Sequence, residues 1–285
     1  MTVLFWDIDG TLLTTAKAGV FAWEDAVREL TGREFELIQM RIAGLTDYQI
    51  AQRTFETLGI ETDAAFLHRF VDRYGELLPS SLPRRQGRVL PNVREILEHL
   101  SGRQDIRSYL LTGNTRAGAR AKLTHYDLIQ YLPDGAFAED TGDRASIARR
   151  ALDLARGAGA IAEDGVFVIG DTPHDIDCAT AISARTIAVA TGGYSSEELK
   201  AHKPWRVFNE LPPADEFMRL IDEGESSRLK PAPTNISGLR RRVSREASRT
   251  RSPESCHRDE GWDVTPLGGL RRRRAESRCP ASQAA

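Results

Sequence analysis

Short apolar runs alternate with segments of helical periodicity along the first 224 residues. Runs rich in β-branched and aromatic residues predict strands at residues 3–6, 106–111, 166–169 and 186–189. Amphipathic segments predict helices at residues 93–100, 117–123, 146–156, 173–182 and 197–202. Strands that alternate with helices are typical of a parallel sheet covered by helices. The pattern therefore predicts the α/β class.

The first two predicted strands are about 100 residues apart, far more than one crossover helix needs. The intervening stretch has helical patterns of its own, at residues 21–30, 47–58 and 64–77, followed by a proline-punctuated stretch at residues 79–91. Ligands of open α/β sheets bind outside the carboxyl ends of the strands, where such an insertion can form a lid. We therefore predict an all-helical cap at residues 14–88, inserted into a catalytic core of residues 1–13 and 89–224.

The composition changes near Gly224. Residues 225–285 lose hydrophobic periodicity and carry thirteen Arg and one Lys against seven acids, a net charge of +7, whereas the first 224 residues carry −9. A Ser-, Pro- and Arg-rich segment of this kind predicts a disordered tail. Basic tails can bind nucleic acid, but this one has no RNA-binding motif with interleaved aromatics, so a nucleic-acid partner is not expected.

Overall composition favours a globular enzyme. The 285 residues are 40% hydrophobic and 28% charged, and no run approaches the roughly 18 apolar residues of a membrane span. The three cysteines have no disulfide or zinc spacing, which suits a reducing compartment. With no basic, apolar leader pattern at the start, a cytoplasmic protein without a membrane partner is expected. The oligomeric state is left open.

Polar residues follow the first predicted strand directly. Asp7 and Asp9 end the run Phe5-Trp6-Asp7-Ile8-Asp9-Gly10-Thr11, and alternation along a strand points both carboxylates the same way. Two uncompensated carboxylates so close repel each other, which indicates a metal or cationic partner. The alternative is that both aspartates are turn or helix-cap residues, and it becomes less favoured once the later motifs are counted.

Two later strands end in comparable motifs. In Leu111-Thr112-Gly113-Asn114, the Thr112 hydroxyl and neighbouring main-chain N–H groups suit a phosphate at a helix N-terminus, although an ordinary N-cap explains this motif equally well. In Gly170-Asp171-Thr172-Pro173-His174-Asp175, the acids Asp171 and Asp175 can converge on a hard cation such as Mg²⁺.

In this order, the three motifs resemble the haloacid-dehalogenase superfamily of aspartyl phosphotransferases over about residues 3–222. The resemblance implies a Rossmann-like core with a helical cap after the first strand. It also implies that Asp7 is the nucleophile, Asp9 the general acid and base, and Thr112 a phosphate ligand.

A Mg²⁺ site follows from the same resemblance. Asp7, the main-chain carbonyl of Asp9, and Asp171 would hold the ion, with Asp175 in support. The family also places a basic residue, usually Lys, before the strand that carries the second acid pair. No lysine lies between residues 137 and 166, and we assign this position to Arg144. A solvated arginine at a helix start is the alternative.

The predicted cap contains Gly44-Leu45-Thr46-Asp47, which resembles a turn of phosphoglycolate-phosphatase-like members. The resemblance implies that Gly44 and Thr46 approach the substrate. Thr46 also suits the N-cap of the next helix, and the two roles are compatible. Lys17 and Gly19, at the predicted hinge, are further candidates for substrate contact.

These residues predict a Mg²⁺-dependent phosphatase that hydrolyses a small phosphomonoester through an aspartyl phosphate, with 2-phosphoglycolate as the first compound to test. The acid at position 9 argues against dehalogenase and phosphonatase chemistry, because relatives with those activities generally lack it. A sugar phosphomutase uses the same two aspartates and stays open. A non-catalytic binding protein with a basic tail is the rival from another class.

Overall fold

The computed structural model describes residues 1–40, 42–140, 142–162 and 164–226, with side chains to residue 223. The described part contains a six-stranded sheet in which every neighbouring pair of strands is parallel. The strands of this sheet are β1 (Thr2–Trp6), β4 (Ile106–Leu111), β5 (Gly135–Ala136), β6 (Val166–Gly170), β7 (Arg185–Val189) and β8 (Arg206–Phe208), in the order β5-β4-β1-β6-β7-β8. The predicted α/β class and Rossmann-like sheet are confirmed.

Helices connect these strands and cover both faces of the sheet. Those of the core are α4 (Val93–Ser101), α5 (Arg116–His125), α6 (Arg144–Ala158), α7 (Pro173–Ala181), α8 (Ser196–Ala201) and α9 (Ala214–Ser226). Alternation along β1 divides the core in two. Val3 and Phe5 belong to one buried cluster, and Leu4 and Trp6 belong to the other. Because both faces of this central strand are covered, it reads as a continuous apolar run.

The segment after β1 that precedes α4 begins and ends at a two-stranded antiparallel pair. Leu13 of β2 (Leu13–Thr14) pairs with Val89 of β3 (Arg88–Val89). Between these strands lie three helices, α1 (Gly19–Thr31), α2 (Asp47–Thr57) and α3 (Ala64–Ser81). We call residues 14–88 the cap segment. Helix α3 continues through Pro79 to Ser81, beyond the predicted end at residue 77.

Three elements of the core were not predicted. Strands β5 and β8 are two and three residues long. Helix α9 follows Pro212 and Pro213, and its buried Phe217 stacks on Trp6 with ring centroids 5.6 Å apart. It ends at Ser226, just past the predicted boundary at Gly224. Residues 227–285, which contain nearly all of the predicted tail, lie outside the described residues. No described helix combines the length and apolar character that crossing a membrane requires.

Candidate active site

Three adjacent strands of the sheet end at the same edge, and a polar residue follows each of them. Asp7 follows β1, Thr112 follows β4 and Asp171 follows β6. The main-chain N–H of Asp7 donates to the carbonyl of Ile169, 3.0 Å away, which ties the β1 end to the β6 end. Parallel pairing therefore gathers three motifs that are far apart in sequence.

Buried carboxylates concentrate at this edge. Asp7, Asp171 and Asp175 each place one carboxylate oxygen within 4.8 Å of the others. Burial is the main cause that raises the pKa of Asp7, and the charge of Asp175 adds to it. The pKa of Asp171 is raised by the same two causes, in the same order. Acids in this state are poised for a cationic partner, because a positive charge restores the charged form.

Arg144 supplies part of that charge. It is the first residue of α6, and its side chain is only 8% exposed, with Nη2 2.5 Å from Asp175 Oδ1 and 3.5 Å from Asp7 Oδ1. Burial opposes the charged guanidinium, but Asp175 and then Asp7 raise the pKa of Arg144. Its Nε is buried and has no hydrogen-bond partner among the described residues. A solvated arginine at a helix start is therefore wrong as a description of this residue.

The loop after β4 is organised around Asn114. Its Nδ2 donates to Thr112 Oγ1 at 2.8 Å and to Asp9 Oδ2 at 2.9 Å. The buried Thr112 side chain lowers the pKa of Asp7, against the larger upward effects of burial and Asp175. The N-cap of α5 is Thr115, so Thr112 and Asn114 are not used as caps. Asn114 instead links Thr112 to Asp9.

Lys122 is a member of the site that the sequence analysis missed. Its Nζ lies 2.5 Å from Asp9 Oδ2 and 2.6 Å from Asn114 Oδ1, and the residue is 6% exposed. Burial opposes its charge, but Asp9 raises the pKa of Lys122. A signal was present, because Lys122 shares the buried face of α5 with Gly118, Ala119 and Leu123. A lysine on the apolar face of a helix requires a partner.

The cap segment docks on the loop after β4 through residues 44–47. Asp47 N–H donates to the Gly113 carbonyl at 2.8 Å, and Asp47 Oδ2 accepts from Thr115 N–H at 2.8 Å. Burial raises the pKa of Asp47 to about 6. Thr46 is fully buried and caps α2, its hydroxyl accepting from Gln49 N–H at 3.2 Å. The predicted capping role is thus confirmed.

Gly44 brings the cap segment close to the acid cluster. Its φ is +80°, and a Cβ at this position would lie 2.1 Å from Cδ2 of His174 in α7. The Gly44 carbonyl accepts a hydrogen bond from Arg144 Nη1 at 3.4 Å. A glycine is needed here both for the backbone conformation and for the close approach.

A cavity of about 470 Å³ lies between the cap segment and the strand ends. Most of the predicted site residues line it, namely Asp7, Asp9, Gly44, Thr112, Gly113, Asn114, Arg144 and Asp171, as do Lys17 and Gly19. Asp175 is not among the described lining residues and is bonded to Arg144 and Thr172. Thr46 is not among the lining residues in the described part of the chain, so its substrate contact stays a prediction.

Comparisons with known proteins bear on the family and the fold. The family model of haloacid dehalogenase-like hydrolases matches residues 4–180. A hydrolase from Pseudomonas syringae is similar in structure, with a TM-score of 0.57 and 22% identity over 78% of this chain and 99% of that one. A protein assigned as a phosphoglycolate phosphatase from Haemophilus somnus 129PT gives a TM-score of 0.59 and 16% identity over 77% of this chain and 98% of that one.

A third similar structure is a protein assigned as a β-phosphoglucomutase from Thermotoga maritima. Its TM-score is 0.52 and its identity 20%, over 78% of this chain and 99% of that one. A search of curated proteins finds no match. At these identities the similar structures establish the fold they share with this chain.

Proposed function

The chain belongs to the haloacid dehalogenase-like hydrolase family, and on that premise we propose that it is a phosphatase that acts through a phosphorylated Asp7. The observation that carries the proposal is the setting of Asp7. Its carboxylate is buried at the end of β1, beside two further acids and the guanidinium of Arg144. Because Asp7 is buried but lines the cavity, an electrophile can reach its carboxylate only from the cavity.

In the first half of the reaction, an oxygen of Asp7 attacks phosphorus and the bond to the leaving alkoxide breaks. The Thr112 side chain lowers the pKa of Asp7, which favours the charged form that attacks. Arg144, which lines the cavity, offsets the negative charge of the phosphate. The product of this half is an acyl phosphate on Asp7, and the alkoxide leaves as the alcohol.

Asp9 moves protons in both halves. It lines the cavity with a side chain that is 42% exposed, in contrast to the buried Asp7. Its carboxyl group donates a proton to the leaving alkoxide, and its carboxylate then takes one from the water that hydrolyses the aspartyl phosphate. Two acids two residues apart thus serve different purposes.

Mg²⁺ is the proposed cofactor, and the residues present fit it. Three buried carboxylates within 4.8 Å of one another form an all-oxygen donor set, which a hard cation prefers. Asp7, Asp171 and the main-chain carbonyl of Asp9 would hold the ion, with Asp175 in support. When bound, it supplies positive charge against the phosphate and the three acids.

The cavity suits a small phosphomonoester. Val20, Ile42 and Leu45 of the cap segment give it an apolar wall. Among the described lining residues, Lys17 is a cation without an ion pair, whereas Lys122 and Arg144 are both paired. A compact ester with one further anionic group, such as 2-phosphoglycolate, fits this distribution and is the first substrate to assay.

A sugar phosphomutase is the second candidate, since the same two aspartates serve that reaction. Assaying phosphate release against isomer formation on a sugar monophosphate separates the two activities.

The decisive test uses Asp9→Asn with two substrates. Hydrolysis of an alkyl phosphate is expected to fall by about 10²–10⁴-fold, the typical contribution of general acid–base catalysis. With p-nitrophenyl phosphate the leaving group departs unprotonated, so rapid mixing should show a burst of nitrophenolate near one equivalent, followed by slow turnover. Asp7→Asn should give neither burst nor turnover. Equal losses on both substrates, without phosphate trapped on Asp7, would contradict the proposed roles.

Removal of metal provides a second prediction. Without a divalent cation the acid cluster and a phosphate dianion repel one another, so exhaustive chelation with EDTA should abolish turnover and added Mg²⁺ should restore it. Phosphate release is the measurement. Undiminished turnover after metal removal would exclude Mg²⁺ as the cofactor.

A further inference from the structure

Lys122 is a buried cation within the active site that none of the sequence motifs includes. Lysine is almost never fully buried unless it is paired, because removing the ammonium from water is unfavourable. Here the partner is a catalytic candidate rather than a structural acid, since Nζ lies 2.5 Å from Asp9 Oδ2. The charge is therefore placed where it acts on Asp9.

The hydrogen bonds to the Asp9 carboxylate involve only one of its two oxygens. Both Lys122 Nζ and Asn114 Nδ2 donate to the same oxygen, Oδ2, at 2.5 and 2.9 Å. Among the hydrogen bonds of the described residues, none engages Oδ1. The Asp9 side chain is 42% exposed and lines the cavity, so Oδ1 is the oxygen left for substrate or water.

Asn114 extends this arrangement to Thr112. Its Oδ1 accepts from Lys122 at 2.6 Å, while its Nδ2 donates to Asp9 and to Thr112 Oγ1. Hydrogen bonds thus run from Lys122 through Asn114 to Asp9 and to Thr112, the residue that follows β4. Lys122 is buried at one end of this set.

We propose that Lys122 is a positioning residue, which pins Oδ2 of Asp9 so that the carboxyl group meets the leaving group and the attacking water through Oδ1. The inference rests on the proposed role of Asp9 in moving protons. In this proposal, Lys122 affects the reaction only through Asp9. A lysine that bound the substrate directly would matter with or without a carboxyl group at position 9.

A double-mutant cycle distinguishes these two cases. Lys122→Met, Asp9→Asn and the double variant are assayed with an alkyl phosphate and with p-nitrophenyl phosphate in the presence of Mg²⁺. Lys122→Met should lower kcat on the alkyl phosphate by about 10- to 100-fold, part of what acid–base catalysis contributes, with KM nearly unchanged. It should keep a nitrophenolate burst, and it should have no further effect in the Asp9→Asn background.

Matched controls separate positioning from folding. Arg120 lies on the same helix but is exposed, so Arg120→Met should leave kcat unchanged. Melting temperatures of all variants show whether α5 is intact. If Lys122→Met does not fold, the same cycle with Lys122→Gln, which keeps a hydrogen-bond donor, gives the answer.

Two results would contradict the positioning role and indicate direct contact with substrate. In the first, Lys122→Met lowers kcat by the same factor in the Asp9→Asn background as in the wild-type background. In the second, Lys122→Met raises KM while kcat stays constant. If Asp9→Asn itself gave no selective loss on the alkyl phosphate, the proposed function would fail before the cycle was reached.

Discussion

At the scale of single residues, the site is defined by an imbalance of charge. Four acids, Asp7, Asp9, Asp171 and Asp175, meet two buried cations. One cation neutralises Asp9, and the other is shared by Asp175 and Asp7, so the site keeps an excess of negative charge before a phosphate arrives. Under the proposed function, a divalent cation and the Arg144 guanidinium together offset the charge of a phosphate dianion.

Arg144→Ala should reduce kcat/KM by about 10²–10³-fold, comparable to the loss of one strong donor from a preorganised anion site. The physical reason is that Asp175 and Asp7 lose a guanidinium at 2.5 and 3.5 Å, and the phosphate loses its donors. Phosphatase kinetics at saturating Mg²⁺ measure this. The matched control is Arg149→Ala on the same helix, an exposed residue that should change kcat/KM little. A larger effect at Arg149 would show that the cationic position was assigned wrongly.

Sequence reasoning reached Arg144 but not Lys122, and the difference is physical. The strand-end motifs are local, since an apolar run followed directly by Asp7 or Asp171 indicates a site at the sheet edge. Lys122 is 113 residues from Asp9, and only the parallel pairing of β1 with β4 brings α5 to the end of β1. From the sequence alone, its position on α5 indicates a buried lysine but not the acid with which the lysine pairs.

At the scale of elements, the turn at residues 44–47 makes contacts that join the cap segment to the core. It contributes main-chain hydrogen bonds to the loop after β4 and a close contact with α7. Gly44→Ala should therefore lower kcat/KM by about 10-fold or more. A Cβ at this position would lie 2.1 Å from the His174 ring and would displace the turn. Small displacements near reacting groups lower the rate strongly.

Two further variants separate the causes of that effect. In Gly44→Ala/His174→Ala the clash is gone and only the strain of the positive φ remains, so kcat/KM should recover in part. Gly59→Ala is the matched control, because Gly59 has a φ of +65° and nothing within 4 Å of a Cβ. It should lower the melting temperature slightly and leave kcat/KM unchanged. No recovery in the double variant would mean that the contact with α7 does not set the position of the turn.

Prediction at this scale succeeded where elements are long. The central strands and most helices were recognised from their periodicity, whereas β5 and β8, of two and three residues, are too short to show one. Helix α9 did carry a signal, with apolar residues at Phe217, Leu220 and Ile221 after two prolines. The end of α3 was misplaced because Pro79 was read as a helix breaker, yet the helix continues through it.

At the scale of the whole molecule, the similar structures bear on where the catalytic unit ends. Two of them are matched over 99% of their own length by 78% of this chain, which is about 222 of 285 residues. That share is close in length to the 226 residues up to the end of α9 and shorter than the whole chain. All predicted site residues also lie before it.

A chain that ends at Ser226 should therefore keep its melting temperature and its phosphatase activity. A chain that ends at Pro213 is the matched comparison, since it lacks α9 and so removes the buried Phe217 from Trp6 and the buried Ile221 from the same cluster. Losing large buried side chains of this kind costs about 2–5 kcal/mol each, against a total stability of about 5–15 kcal/mol for a typical domain. The shorter chain should unfold or melt far lower, which differential scanning calorimetry measures. If removal of residues 227–285 alone lowered the melting temperature or the turnover to the same extent, those residues would be part of the enzyme and the boundary would have to move.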